Sequence, residues 1–226
     1  MSRTGTGRVR TRIKVCGIKD AESAGVAAEA GADAIGFILV PKLPRTIAPE
    51  DAASIMYGLP PMVNTVGVVR NLSIDEFADL EQRCPCELMQ LHGDEDDRTV
   101  AACGPGVIKA FRFDADVIDR ELRRWCRLPE VSAILVDGST GGAGESFDWS
   151  RLADAVKSLP LPKPIIVAGG LTPDNVGEAI RACRPWAVDV SSGVETAPGV
   201  KDHVAIRAFC EAVRDADADL ASDSSA

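Results

Sequence analysis

The sequence predicts a protein of the α/β class, a single-domain (β/α)8 barrel with the TIM-barrel architecture. Strand and helix patterns alternate eight times along 226 residues, which leaves room for little besides strands, helices and short loops. The intervening helices supply the crossovers that parallel strands need, and eight such units can close on themselves. The main alternative is an open doubly wound sheet, but no Gly-x-Gly-x-x-Gly turn follows the first strand. We therefore expect a closed barrel.

Each element of this barrel is predicted by a local signal. Short apolar or β-branched runs predict strands at 13–16, 34–39, 64–69, 87–91, 107–112, 133–136, 165–168 and 187–190. Helices are expected over 21–30, 49–57, 74–84, 116–126, 149–159 and 201–216, and two more begin at 94 and 173. Helix starts are marked by Asp20, by Pro49, by a capping box of Ser73 and Glu76, and by Thr172 with Pro173.

The ends of the chain differ from the rest in composition. Residues 1–11 are basic and polar, and residues 217–226 are acidic and rich in serine. We expect a disordered N-terminal tail, a barrel domain over 12–216 and a flexible C-terminal tail.

Charge, hydropathy and cysteine usage exclude several functional classes. A net charge of -9 and 4% aromatic residues provide neither a basic face nor stacking rings for nucleic acid. No secretory signal or bilayer-spanning run is present, so we expect a cytoplasmic protein without a membrane partner. Seven scattered cysteines predict free thiols, and neither Cys84 with Cys86 nor the distant His92 and His203 have the spacing of a structural zinc site. We expect no metal.

Candidate catalytic side chains lie at the carboxyl ends of the predicted strands, where barrel enzymes have their active sites. Cys16, His92, Asp137 and Asp189 end, or nearly end, the first, fourth, sixth and eighth strands. A buried cysteine is usually inert, but this position favours Cys16 as a general base, once a cation or helix N-termini lower its pKa. Lys14 points to the same side one layer lower, so we expect it to pair with Asp189 beneath the thiol.

Asp137 and Arg45 are the other two charged candidates. Asp137 ends an apolar strand too far from the next helix to cap it, which favours a carboxyl group at the barrel mouth over a turn residue. A carboxyl group there can donate a proton if partial burial raises its pKa. Arg45, in a loop stiffened by prolines, is either a solvated surface charge or a ligand of a substrate carboxylate, and the pattern alone does not decide.

Loops after the last strands predict a phosphate site. Gly169 and Gly170 follow the seventh strand, Ser191, Ser192 and Gly193 follow the eighth, and Gly141 and Gly142 after the sixth can add backbone amides. Barrels commonly bind phosphate in the loops after strands seven and eight. One glycine pair would indicate only a tight turn, but two such loops at these positions together indicate phosphate binding.

Several motifs, in order along the chain, resemble those of the phosphoribosylanthranilate isomerase family of tryptophan biosynthesis. The resemblance spans 13–209 and is carried by 14–18, 36–38 with 44–45, 66–68, 90–94, 141–144 with 147–149, 168–171, and 188–195 with 198–199. It implies a (β/α)8 fold and a cofactor-free Amadori rearrangement. The reaction would turn N-(5-phosphoribosyl)anthranilate into 1-(2-carboxyphenylamino)-1-deoxyribulose 5-phosphate.

The resemblance also implies residue roles. Asp137 would be the general acid that protonates the ribose ring oxygen, and Cys16 the base that removes the proton from C2. Arg45 would bind the anthranilate carboxylate, and the glycine and serine loops would bind the phosphate. We also expect His92 and Asp189 to contact this small phosphoribosyl substrate.

The sequence departs from the usual family pattern at Leu39, Leu43, Val69 and Ala143, which bears on the packing around the anthranilate ring and on phosphate binding. One alternative is a histidine-pathway or dual-specificity isomerase, but that family has an aspartate as the base where this chain has Cys16. Another is a catalytically silent phosphosugar-binding barrel, which would need neither acid nor base. The outer helices do not distinguish a monomer from a homodimer.

Overall fold

Eight parallel strands form a closed barrel in the computed structural model, which describes residues 10–139, 148–158 and 163–223. Neighbouring strands pair in sequence order, and the first pairs with the eighth. The strands are β1 (Arg12–Cys16), β2 (Ala34–Ile38), β3 (Asn64–Val69), β4 (Leu88–Leu91), β5 (Val107–Arg112), β6 (Val131–Asp137), β7 (Ile165–Ala168) and β8 (Ala187–Val190). The predicted single-domain barrel is confirmed.

Each strand is followed by a helix that covers the outside of the barrel. The helices are α1 (Ala21–Glu29), α2 (Pro49–Tyr57), α3 (Ile74–Arg83), α4 (Asp97–Ala102), α5 (Ile118–Cys126), α6 (Trp149–Lys157), α7 (Val176–Cys183) and α8 (His203–Asp223). Asp20 caps α1 by accepting from the backbone N–H of Ser23, and the capping box of Ser73 and Glu76 is present at α3. These two predicted helix starts are confirmed.

Three helices begin later than predicted, because short polar side chains close turns before them. Asp96 accepts from the backbone N–H of Thr99, so α4 begins at Asp97 and not at residue 94. Asn175 accepts from the backbone N–H of Thr172 and donates to the carbonyl of Gly170, so α7 begins at Val176 and not at 173. Helix α5 begins at 118 and not at 116.

The last helix also departs from the prediction at both ends. A small hairpin of β9 (Glu195–Ala197) and β10 (Val200–Lys201), absent from the predicted elements, delays the start of α8 to His203. The helix continues through Asp223, so the prediction of a flexible tail is wrong for residues 217–223. The carboxylate of Asp217 accepts from the backbone N–H and the hydroxyl of Thr11, at 2.6 and 3.0 Å. Thr11, placed in the predicted N-terminal tail, is thereby buried.

Burial alternates along the strands and separates two apolar regions. Outward residues such as Val15 and Phe37 pack under the helices in the larger core. A smaller core fills the barrel with inward residues, among them Val66, Leu135 and Ile166. Among the described helices, none is long and apolar enough to cross a membrane.

Candidate active site

A cavity of about 270 Å³ lies at the carboxyl ends of the strands and collects most of the residues that the sequence singles out. Its lining includes Cys16, Arg45, His92, Asp137, Gly169, Gly170, Asp189, Ser191 and Ser192. Lys14 is buried below it, and Gly193 packs against the loop after β7. Gly141 and Gly142 lie outside the described residues. The barrel mouth is thus where the predicted site residues of β1, β4, β6, β7 and β8 meet.

Lys14 and Asp189 form a buried ion pair directly under the cavity. They are register partners on β1 and β8, and Lys14 Nζ lies 2.9 Å from Asp189 Oδ1. The positive charge of the ammonium also acts on the thiol of Cys16. Burial opposes the charge, but Asp189 and Cys16 outweigh it, and the pKa of Lys14 is raised. The predicted pair beneath the thiol is confirmed.

The neighbouring strand is shaped to admit this pair. A Cβ atom at Gly36 of β2 would lie 2.8 Å from Cys16 Sγ and 3.1 Å from Lys14 Nζ. Any side chain at this position would therefore displace the thiol or the ammonium, and only glycine leaves room for both.

Cys16 is a thiol in a desolvated position. Burial raises its pKa, and the positive charges of Lys14 and Lys201 offset this only in part. The lowered pKa that a general base at Cys16 requires is therefore not produced by these surroundings. The cation is present, but the removal of water from the sulfur has the larger effect.

Asp137 is held by donors from two loops. Its Oδ1 accepts from the backbone N–H of Ser139 at 2.8 Å, and its Oδ2 lies 3.2 Å from His92 Nε2. Burial alone would raise its pKa, but the hydrogen bonds from His92 and Ser139 have the larger combined effect, and the pKa of Asp137 is lowered. The raised pKa that would make Asp137 a proton donor is therefore not produced by these surroundings, because the donors stabilise the ionised form.

Gln90 is a cavity residue that the sequence did not single out as part of the site. Its Nε2 lies 2.8 Å from His92 Nδ1 and can only donate, so the neutral imidazole carries its proton on Nε2, where it faces Asp137. Gln90 Oε1 is buried and has no hydrogen-bond partner among the described residues. Its position two residues before His92 on a strand, and hence on the same face, is the signal that could have identified it.

Glu195 and Lys201 are two further residues that the sequence did not indicate. Arg45 donates from Nε and Nη2 to the two oxygens of Glu195, at 2.8 and 2.7 Å. Lys201 Nζ donates to Glu195 Oε1 and to the carbonyl of Ser191, each at 2.9 Å. Arg45 therefore lines the cavity and is not a free surface charge. The buried carboxylate of Glu195 fixes the plane of its guanidinium group.

The glycine and serine loops around the cavity pack closely against neighbouring backbone. Gly169 adopts φ 90°, and a Cβ atom there would overlap the Asp137 carboxylate and the backbone of Ser139. A Cβ at Gly193 would overlap the carbonyl of Leu171. Ser191 Oγ is buried without a hydrogen-bond partner among the described residues. Loops packed this tightly place backbone amides and a hydroxyl beside the cavity.

The departures from the family pattern differ in how close they lie to the cavity. Leu43 lines it, whereas Leu39 and Val69 are packed against the outer core. Ala143 lies outside the described residues. Among the residues that the structure describes, no group of three or more His, Cys, Asp and Glu side chains is arranged to hold a metal ion.

A thiol and a carboxylate that face one cavity at the carboxyl ends of barrel strands are typical of a (β/α)8-barrel enzyme that moves protons. The model of the N-(5'-phosphoribosyl)anthranilate (PRA) isomerase family matches residues 13–212. The chain belongs to this family, and it is an isomerase of tryptophan biosynthesis.

Individual relatives agree with this assignment. N-(5'-phosphoribosyl)anthranilate isomerase of Pseudomonas fluorescens (strain Pf0-1) is 45% identical over 207 residues, which are 90% of this chain and 98% of the relative. The same enzyme of Geobacter metallireducens is 46% identical over 202 residues, 88% of this chain and 96% of the relative.

Solved structures share the fold. A crystal structure of phosphoribosyl anthranilate isomerase from Thermotoga maritima is 38% identical, with a TM-score of 0.80, covering 91% of this chain and 99% of the other. Another structure of such an enzyme, 37% identical with a TM-score of 0.78 and the same coverage, holds reduced 1-(o-carboxyphenylamino)-1-deoxyribulose 5-phosphate.

Proposed function

We propose that this chain catalyses the Amadori rearrangement of N-(5'-phosphoribosyl)anthranilate with Asp137 as general acid and Cys16 as general base. The observation that carries the proposal is that the thiol of β1 and the carboxylate of β6 line the same small cavity. A group that gives a proton and a group that takes one are what an aldose-to-ketose rearrangement requires. Both belong to this chain, so no cofactor is needed.

The reaction is proposed to begin with two catalysed proton transfers. Asp137 protonates the ribose ring oxygen, the bond between C1 and that oxygen breaks, and the nitrogen lone pair forms a Schiff base. Cys16 then removes the proton from C2, and the electrons of that bond neutralise the Schiff base nitrogen to give an enol. The enol becomes the aminoketone as the hydroxyl on C2 loses its proton and C1 gains one, and exchange with solvent returns a proton to Asp137 and removes one from Cys16.

The surroundings of Asp137 and Cys16 favour the ionisation states opposite to those that the reaction needs. Donors lower the pKa of the acid, and burial raises the pKa of the base. The reactive form therefore needs one proton to move from Cys16 to Asp137, with no net uptake or release. Lys14 supports this form, because its positive charge lowers the pKa of Cys16 and so stabilises a thiolate.

The two ends of the substrate are proposed to bind opposite sides of the cavity. Arg45 is oriented by Glu195 through Nε and Nη2, and its remaining N–H groups would bind the anthranilate carboxylate. The phosphate would be bound by the loops after β7 and β8 with Gly169, Gly170, Ser191, Ser192 and Gly193, together with Gly141 and Gly142.

Polar groups near the middle of the cavity would hold the ribose. The buried Oε1 of Gln90 would accept a hydrogen bond from a ribose hydroxyl and so gain the partner that it lacks. His92 and Asp189 also line the cavity, and their polar atoms are proposed to contact the sugar.

The assay follows the fluorescence of N-(5'-phosphoribosyl)anthranilate as purified protein consumes it. We expect Cys16→Ala and Asp137→Asn each to lower kcat by about 10²–10⁴-fold, the usual contribution of a general acid or base. Cys126→Ser, a thiol exchange outside the cavity, is the matched control and should keep the wild-type rate. Wild-type inactivity would remove the proposed reaction, and near-full rates in both site variants would remove the residue assignment.

A cytoplasmic location is also proposed. All seven cysteines are free thiols, although Cys84 and Cys86 have sulfur atoms only 3.7 Å apart, and unpaired thiols persist in a reducing compartment. Fractionation of the cells that produce the chain tests this, and recovery outside the cytoplasm would contradict it.

The thiol of Cys16, the carboxylate of Asp137 and the guanidinium of Arg45 meet in one cavity within a single barrel. We therefore propose that a single chain carries a complete site, whether it is a monomer or a homodimer. Light scattering at assay concentrations, combined with specific activity over a dilution series, tests this: the specific activity should stay constant through any dissociation.

A further inference from the structure

Three sulfur atoms meet at the end of the barrel opposite the cavity. Met56 lies in the last turn of α2, Cys84 directly follows α3, and Cys86 precedes β4. The two thiols are 3.7 Å apart, and each lies 3.8 Å from the Sδ atom of Met56. The proposed chemistry of the barrel mouth uses none of them.

The sulfur atoms form a nearly equilateral triangle that is open at its centre. A point equidistant from all three lies about 2.2 Å from each sulfur. Bonds from cysteine sulfur to Zn²⁺, a d¹⁰ ion, are about 2.3 Å long. An ion of this size therefore fits the triangle with almost no movement of the side chains.

We propose that Met56, Cys84 and Cys86 form a three-coordinate site for a soft monovalent ion, Cu(I). Thiolate and thioether ligands together select Cu(I), whereas zinc sites are built from four ligands drawn from thiolates, imidazoles and carboxylates. Glu87, the carboxylate closest in sequence, does not complete a zinc site, because no group of three or more His, Cys, Asp and Glu side chains among the described residues is arranged to hold a metal ion.

Binding of the ion is an exchange with protons. A bound Cu(I) replaces the thiol protons of Cys84 and Cys86, which pass to the buffer. No oxidation or reduction is involved, because the ion enters and stays as Cu(I).

The three proposed ligands differ in their exposure. Cys84 is fully buried and Cys86 is partly exposed. Met56 also lines a separate cavity of about 300 Å³, together with Thr65, Pro85 and Glu87. An ion carried by a small ligand can therefore reach the thioether first and transfer to the two thiols.

The test is an anaerobic titration of the reduced protein against the coloured Cu(I) complex of bicinchoninate. We expect the wild-type chain to withdraw one Cu(I) per chain, and X-ray absorption of that form to show three sulfur neighbours at about 2.3 Å. Met56→Leu, a nearly volume-conserving change, should lose this uptake, as should Cys84→Ser and Cys86→Ser. Loading should raise the unfolding midpoint of the wild type and leave that of Met56→Leu unchanged.

Matched controls separate this site from the other sulfur atoms of the chain. Met62→Leu changes a thioether that is 95% exposed, and Cys126→Ser changes a thiol on α5, so both should bind Cu(I) as the wild type does. The proposal is overturned if the wild type leaves the bicinchoninate complex intact, or if Met56→Leu takes up Cu(I) unchanged. If a cysteine variant does not fold, Met56→Leu alone decides.

Discussion

His92 Nε2 lies 3.2 Å from Asp137 Oδ2, and Gln90 on the other side of the imidazole fixes the proton of the neutral ring on Nε2. The imidazole therefore presents its N–H to the carboxylate of the proposed acid. This contact stabilises the carboxylate, so the residue that must donate a proton rests in its ionised form. The proposed base is affected in the opposite direction, because burial raises the pKa of Cys16 and favours the protonated thiol.

The two pKa shifts lead to a specific pH profile of kcat/KM. Catalysis needs Asp137 protonated and Cys16 ionised, a state that differs from the major form only in which group holds the proton. Between the two pKa values its fraction is small but independent of pH. We expect kcat/KM to be flat across neutral pH and to fall below the pKa of Asp137 and above that of Cys16. Initial rates over a pH series check this, and a narrow maximum near neutrality would contradict it.

Removal of the imidazole should shift the acidic side of that profile. A hydrogen bond to a charged group contributes about 1.5–3 kcal/mol, and one pKa unit corresponds to about 1.36 kcal/mol. In His92→Ala we therefore expect the acidic limb of kcat/KM to move up by about one to two pH units. The other histidine provides the control, because His203 lies on α8 near Glu22, and His203→Ala should leave the limb in place. An unmoved limb in His92→Ala would show that the contact does not set the pKa of Asp137.

The Lys14 and Asp189 pair should show strong coupling in stability. Both side chains are less than a tenth exposed, and loss of one partner of a buried pair leaves an uncompensated charge that costs about 3–5 kcal/mol. We expect this loss for Lys14→Met, and a smaller one for the double variant Lys14→Met with Asp189→Leu. Urea unfolding measures both. Equal losses in the single and double variants would mean that the pair does not act as a unit.

Arg45 should act on substrate binding through the anthranilate carboxylate. In Arg45→Lys one ammonium replaces the planar fork that Glu195 holds, so we expect KM to rise by about tenfold or more while kcat changes less. A substrate made with aniline lacks the ring carboxylate and should show no such difference between Arg45→Lys and the wild type. Arg120→Lys, at an exposed surface arginine, is the control. An equal effect on both substrates would assign Arg45 to another part of the ligand.

The parts of the site that follow from strand geometry were predictable from the sequence. Alternation along β1 places Lys14 under Cys16, and closure of the barrel brings Asp189 beside them, so two simple rules predicted a contact between residues 14 and 189. The position of Asp137 at the barrel mouth follows in the same way, from the end of an apolar strand.

Other parts depend on distances that sequence patterns do not carry. The pKa of Asp137 is set by a competition between burial and two donors, and one of these donors, His92, lies on a different strand. Glu195 reaches Arg45 only because a short hairpin turns back after β8, and no periodicity marks a hairpin of this size. Helices α4 and α7 begin further along the chain than predicted, because the side chains of Asp96 and Asn175 form local turns that compete with the helix.

A second buried pair, Lys109 with Glu95, should stabilise the loop that carries His92. Lys109 Nζ lies 2.6 Å from Glu95 Oε2 and donates to the carbonyl of Gly93 at 2.8 Å, and each side chain of the pair is 2% exposed. Lys109→Met leaves the carboxylate buried without its cation, so we expect a loss of about 3–5 kcal/mol in the free energy of unfolding.

The same change should reach catalysis, because the backbone N–H of Gly93 donates to Glu95 immediately after His92. We expect kcat of Lys109→Met to fall even at temperatures where the variant is fully folded. Lys157→Met is the contrasting variant: its pair with Asp154 is about three-quarters exposed, and such pairs contribute about 1 kcal/mol or less. Urea unfolding and kcat are measured on both variants. If Lys109→Met and Lys157→Met lose similar amounts of stability, the buried pair contributes no more to stability than the exposed pair.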